Sequence, residues 1–284
     1  MTVGIGAISE YESEEPKVVI SSDRLVTTHQ QSAIEHERPE KKIKEIAVDL
    51  HNTHLAGVIA GSVQLGEEFE DKLESALHAW VREHETEPWV QTAANIAGET
   101  YREFVQEKIE HAVLQPYGLE ISDLSKQHKF KDSFFQDVMS EVQQFRSQVQ
   151  TNLVLLLGGV ADKGAGLYEI RSNDVLFQND MGYATIGSGT QPAKSEFIKT
   201  EYGKSCPLSE ALATVAAANY QAQRASGVGG SPDIIIVDSD GVHALDDGVR
   251  KRLMDRQEDI DDRQEEIKHN ILDENEITWR SGGT

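Results

Sequence analysis

Two short apolar runs, Val3–Ile8 and Lys17–Ser22, flank a polar stretch that ends at Pro16. Runs of this length, bounded by turn-forming residues, predict two strands joined by a long hairpin connection. Two more strands are predicted at Ile43–Leu50 and Leu55–Ala60, the second closing on Gly61 before a polar helix start. From Glu67 to about Gln150 the spacing becomes helical, with Phe69, Leu73, Leu77 and Trp80 on one face and Ile96, Phe104, Val105 and Ile109 on another. Pro88, Pro116 and Gly118 divide this region into about three helices. The β pattern returns at Asn152, where Leu153–Leu157 is apolar throughout and ends at Gly158-Gly159, as a strand buried on both faces would.

Further strands are predicted at Gly166–Ile170, Asp174–Phe177 and Gly182–Ile186, then helices at Lys194–Tyr202 and Pro207–Arg224. A last strand pair falls at Pro232–Val237 and Val242–Leu245. Asp246–Asn275 is a charged helix with few apolar anchors, of the kind that lies on a surface or docks. The order is strands, helices, strands, helices, strands. Such segregation predicts an α+β protein with sheets packed face to face and helices outside, not a βαβ parallel sheet.

Composition narrows the function classes. The formal net charge of -22 repels phosphate backbones and anionic lipid heads, and nothing in the sequence forms a compensating basic patch, so neither nucleic acid nor a membrane is an expected partner. The single cysteine, Cys206, excludes an intrachain disulfide framework and a thiolate-rich zinc site, which fits a reducing compartment. With neither a signal-peptide pattern nor an apolar stretch of roughly 20 residues, the expected location is cytoplasmic. His51 and His54 lack a third ligand nearby, and His78, His84 and His111 share no ligand spacing. No metal or cofactor is expected.

The segment Val18-Val19-Ile20-Ser21-Ser22-Asp23-Arg24-Leu25-Val26-Thr27 is followed by Lys41-Lys42-Ile43 and then by Ile59-Ala60-Gly61. Later come Gly166-Leu167-Tyr168-Glu169-Ile170, Gly187-Ser188-Gly189, and a helix leading into Pro232-Asp233-Ile234-Ile235-Ile236-Val237. In this order and strand context, residues 2 to 64 and 152 to 245 resemble proteasome β-type subunits of the N-terminal-nucleophile (Ntn) hydrolase superfamily. The resemblance implies a four-layer αββα sandwich spanning 2–245, enlarged by a helical insertion at about 67–150 and followed by the charged helix and tail at 246–284.

It also implies a chemistry. Removal of Met1 would expose Thr2 as an N-terminal nucleophile whose own α-amino group, titrating near pH 8, serves as base. Asp23 and Lys42 match the residues that tune the nucleophile in the family. A lysine beside the amine lowers its pKa by like-charge repulsion. Gly61 matches the glycine whose N–H stabilises the oxyanion, Thr27 a residue that binds the substrate backbone, and Ser188 a serine near the nucleophile. The alternative for Asp23 and Lys42 is a structural ion pair between neighbouring strands and for Gly61 a simple turn, while Gly187-Ser188-Gly189 taken alone reads as a tight turn.

The sequence departs from the family in three places. An ungapped match from Arg224 to Asp233 puts Ala225 and Val228 where an aspartate and a serine support the nucleophile. A direct alignment of the first strand sets Thr2 two residues beyond the family's nucleophile. A two-residue shift corrects this and keeps every side chain on its face. The helical region is also longer than the usual helix pair. The expected activity is that of a threonine-type peptidase acting on peptide or unfolded protein, in a ring or stacked homo-oligomer, with an ATP-dependent unfoldase as a possible partner. The alternative is a catalytically inactive subunit with an assembly role.

Overall fold

The computed structural model describes residues 2–30, 32–37, 42–47, 49–172, 174–225, 228–230 and 232–271, without the side chains of 25–37 and 268–271. The chain divides into two compact units, one running to Leu245 and one beginning at Asp246.

In the first unit, β1 (Val3–Ser9), β2 (Lys17–Ser22), β3 (Leu25–Gln30), β4 (Ser32–Glu37), β5 (Ile43–Ile46) and β6 (Thr53–Gly61) precede a helical stretch. That stretch holds α1 (Val63–His84), α2 (Val90–Ile109), the single turn α3 (Ile121–Leu124) and α4 (Asp132–Thr151). Then come β7 (Leu153–Ala161), β8 (Gly164–Arg171), β9 (Asp174–Phe177), β10 (Tyr183–Gly187), α5 (Thr190–Lys199), α6 (Leu208–Ala222), β11 (Asp233–Asp238) and β12 (Gly241–Ala244). The second unit is α7 (Asp247–Ile271).

The strands form two five-stranded antiparallel sheets, ordered β10-β1-β2-β11-β12 and β5-β6-β7-β8-β9, together with a β3-β4 ribbon. The result is a mixed α+β fold, and its cores follow from the two-residue alternation of side chains. Val3, Ile5 and Ala7 of β1 join Val19 in a cluster with Phe197, Ala211 and Val215 of α5 and α6. The intervening Gly6 faces the other way, where a Cβ would stand 2.6 Å from Leu167 Cδ1 of the second sheet. Ile8, Val18, Ile20, Val58, Leu156 and Leu167 fill a second cluster drawn from both sheets. Leu55, Leu155 and Leu157 turn to Phe69, Leu73, Tyr101 and Phe104 of α1 and α2 in a third.

Most boundaries fall within a few residues of the predicted ones, and three differences have physical causes. β7 does not end at Gly158-Gly159 but runs to Ala161. These glycines are spacers inside the strand, since a Cβ on Gly158 would meet Val18 at 2.8 Å and one on Gly159 the His54 carbonyl at 2.5 Å. β5 stops at Ile46, short of Leu50, because Ala47 takes a positive φ of 54° and breaks the extended run. The β3-β4 ribbon was not predicted, since Ser32–Glu37 carries charged and polar residues where a strand signal needs apolar ones.

Phe197 reports on the core away from the nucleophile candidate. Its side chain is 1% exposed, stacks on Tyr183 at 4.3 Å between centroids and meets Tyr202 edge-on. Phe197→Ala is expected to lower stability by about 3–5 kcal/mol. The measurement is the urea midpoint, which should fall with the slope unchanged.

Candidate functional site

The antiparallel pairing of β1 and β2 sets the first part of the site. Gly4 lies opposite Ser22, so Asp23 comes abreast of Val3 as the chain leaves β2. The Val3 N–H donates to Asp23 Oδ1 at 2.9 Å, and the Asp23 N–H returns a longer bond to the Val3 carbonyl at 3.4 Å. Thr2, immediately before β1, is 6% exposed and Asp23 1%. Lys42 arrives from the other sheet, one residue before β5, and its Nζ lies 3.0 Å from Thr2 Oγ1 and 3.0 Å from both carboxylate oxygens of Asp23. Burial pushes the Lys42 ammonium below the ordinary lysine value, against the opposing pull of the Asp23 charge and hydrogen bond.

Thr2 itself therefore occupies the position beside Lys42 and Asp23. Ser188 acts on the backbone of Thr2. Its N–H donates to the Thr2 carbonyl at 2.9 Å and its hydroxyl to the same oxygen at 3.4 Å. Gly187, before it, has a φ of 87°, and a Cβ there would stand 2.0 Å from the Thr2 carbonyl oxygen. Gly61 ends β6 with a φ of 129°, where a Cβ would overlap the Asn152 carbonyl at 2.0 Å. Gly61 and Thr2 line one cavity. Thr27 lies in β3 opposite Glu35, and its side chain is outside the described residues, as is Met1.

The cavity beside Thr2 and Gly61 has a volume of about 100 Å³ and is walled by Ile46, Ile59, Phe69, Leu73 and Leu155. Lys44 and Glu70, 3.8 Å apart, also line it. Burial raises the Glu70 carboxyl above its ordinary value, Lys44 opposes the rise, and the neighbouring carboxylates of Glu74, Asp71 and Glu67 add to it.

Where an aspartate and a serine were looked for, Val228 is a buried core residue and Ala225 packs against the same cluster. The adjoining backbone supplies a donor instead, since the Gly229 N–H reaches Asp23 Oδ2 at 3.3 Å. Sequence reasoning missed this contact because a backbone N–H leaves no mark in residue identity. It also missed the ion pair of Arg24 with Asp233, in which Arg24 Nε lies 3.0 Å from both carboxylate oxygens and ties the exit of β2 to the start of β11. Asp23-Arg24 and Pro232-Asp233 were both in view, but nothing in the sequence paired them. Among the described residues no three His, Cys, Asp or Glu side chains gather as a metal site would need, and no helix is long and apolar enough to cross a membrane.

No family model and no curated protein matches the chain. Among solved structures it is similar to "Anbu (ancestral beta-subunit) from Yersinia bercovieri", with a TM-score of 0.63, 15% sequence identity, and coverage of 99% of this chain and 100% of that one. At this identity the likeness concerns the fold alone.

Proposed function

We propose that the chain is a proteasome-like N-terminal threonine hydrolase that cleaves peptide bonds through an acyl-ester on Thr2. The observation that carries this reading is the Lys42 ammonium, which sits 3.0 Å from both the Thr2 hydroxyl and the Asp23 carboxylate in a nearly dry setting. After loss of Met1, the α-amino group of Thr2 takes the hydroxyl proton as Oγ1 attacks the substrate carbonyl carbon, while Lys42 stabilises the developing negative oxygen. The Gly61 N–H serves the oxyanion. The proton passes to the leaving amine as the C–N bond breaks, and water then hydrolyses the ester.

The cavity suits an aliphatic side chain ahead of the scissile bond, being smaller than the ~150 Å³ that accommodates a benzene ring. Three clusters, one of residues from both sheets and one against helices for each sheet, support a four-layer αββα sandwich. Assembly into rings or stacks, a partnership with an ATP-dependent unfoldase and a cytoplasmic location belong to the same proposal. Ala225 and Val228 favour the other reading, a catalytically silent assembly subunit.

Intact-mass measurement before and after exposure to an epoxyketone or β-lactone directed at N-terminal threonine separates the two. The enzyme reading expects a chain without Met1 that gains one inhibitor mass, and no gain in Thr2→Ala. Retained Met1 on the purified full chain sinks the nucleophile model, and a processed chain that never labels points to the silent subunit.

A further inference from the structure

β10 is an edge strand of the first sheet, and its pairing with β1 decides which backbone groups its outer side presents. The Ile8 N–H donates to the Gly182 carbonyl at 2.8 Å and the Ser188 N–H to the Thr2 carbonyl at 2.9 Å, with Gly6 opposite Ala184 and Gly4 opposite Ile186 between them. In an antiparallel ladder alternate residues turn to the same neighbour, so the even-numbered residues of β10 give their N–H and C=O groups to β1. Tyr183 and Thr185 turn theirs outward, and no other described residue pairs with those backbone groups.

This edge is the floor of a groove of about 530 Å³. One wall is the second sheet, through Glu169 and Arg171 of β8 and Leu176 of β9, and the other is α5, through Gln191 and Lys194. Two edges recessed in this way cannot reach each other, so the groove fits a lone strand and not β10 of a second copy. The Thr185 hydroxyl lies 3.5 Å from the Thr190 carbonyl at the start of α5, whereas Ala184 and Ile186 point into the cluster between the sheets. A residue added opposite Thr185 therefore faces α5, and its two neighbours face the second sheet.

Charge selects the strand. The charged side chains of the groove are Glu169, Arg171 and Lys194. Glu169 is 13% exposed and 3.2 Å from Arg171 Nε. Burial pushes its carboxyl up, and Arg171 and Lys194 pull against the rise. One acid against two bases makes the groove basic, on a chain whose formal net charge is -22.

We propose that the β10 groove docks an extended polypeptide segment with an acidic side chain, which adds to the sheet as a sixth strand. Its backbone takes the outward groups of Tyr183 and Thr185, and its carboxylate, opposite Thr185, meets Lys194. The site is separate from the cavity beside Gly61 and independent of whether Thr2 is active.

Fluorescence anisotropy on the full chain tests this, in a Thr2→Ala background so that hydrolysis cannot consume the probe. The probe is a fluorescein-labelled pentapeptide with glutamate at its centre, valine on either side and threonine at both ends. Saturable binding is expected, weaker by about tenfold or more for the lysine-centred peptide, as the loss of a charge-assisted hydrogen bond implies. Lys194→Glu should reverse that preference. Thr185→Pro removes an outward N–H without touching the ladder to β1 and should abolish binding. Two N-methylated peptides, blocked at alternate amides, need no change in the protein: one should fail and the other bind nearly as the parent does. No saturable binding at ~1 mM peptide, the weak end of recognition, overturns the proposal, as does equal binding of the two methylated peptides. Equal affinity for the glutamate-centred and lysine-centred peptides overturns the acidic preference.

Discussion

Lys42→Met is expected to lower turnover by about 10²–10³-fold, the usual range for removing one group that stabilises charge developing in the transition state, and to destabilise the fold by about 3–5 kcal/mol. The two effects have separate origins. Turnover falls because the Thr2 hydroxyl loses the ammonium 3.0 Å away that favours its ionised form. Stability falls because the buried Asp23 carboxylate, 1% exposed, loses the ammonium 3.0 Å from it. The pH dependence provides a third readout. Lys42 is lowered in the fold, so the unfolded chain binds the proton more tightly, and stability from this group rises with pH. Its penalty is present in full below the lowered value, is relieved as pH rises through it, and is gone above the ordinary lysine value of about 10.4. The wild type should show this rise and Lys42→Met should not. A variant that keeps both wild-type turnover and wild-type stability would remove Lys42 from the site.

How much of this was legible in the sequence depends on where the information resides. Asp23, Lys42 and Thr2 could be named because charged or hydroxyl residues at strand ends are visible as letters, and the order of their motifs located them. Their mutual distances could not be read, since Lys42 comes from the opposite sheet and its approach is fixed by how closely the sheets pack. That packing depends on small residues such as Gly6 and Gly158, which a strand signal scores as weak points or ends. The helical stretch showed its apolar faces plainly. Its interior after Ile109 did not, because Glu110–Leu114 widens to a π turn and Gln115–Tyr117 tightens to a 3₁₀ turn, local changes with no periodic signature. The departures at Ala225 and Val228 were read as losses because only side chains were counted, whereas the structure puts a backbone donor beside them.

Gly187→Ala should be nearly as damaging as removing Lys42, although it touches no charge. The turn after β10 holds Gly187 at a φ of 87°, and the added methyl would overlap the Thr2 carbonyl oxygen at 2.0 Å and its carbon at 2.8 Å. Backbone cannot be sidestepped as a flexible side chain can, so either the turn or Thr2 must shift. In both cases the bond from the Ser188 N–H to the Thr2 carbonyl, 2.9 Å long, is stretched or broken. A displacement of ~1 Å in a nucleophile commonly costs about 10²-fold in rate, and strain of this kind costs on the order of 1–3 kcal/mol. Gly118→Ala isolates the conformational part. Gly118 has a φ of 68° with open space around its missing Cβ, so that variant should lose about 1 kcal/mol and no activity. Comparing inhibitor labelling rates and urea midpoints of the two variants reads the difference directly. If Gly187→Ala labels as fast as Gly118→Ala, the position of Thr2 is set by Lys42 and Asp23 alone and the turn does not matter to it; a gap of about a hundredfold means that the carbonyl side of Thr2 is held as tightly as its hydroxyl.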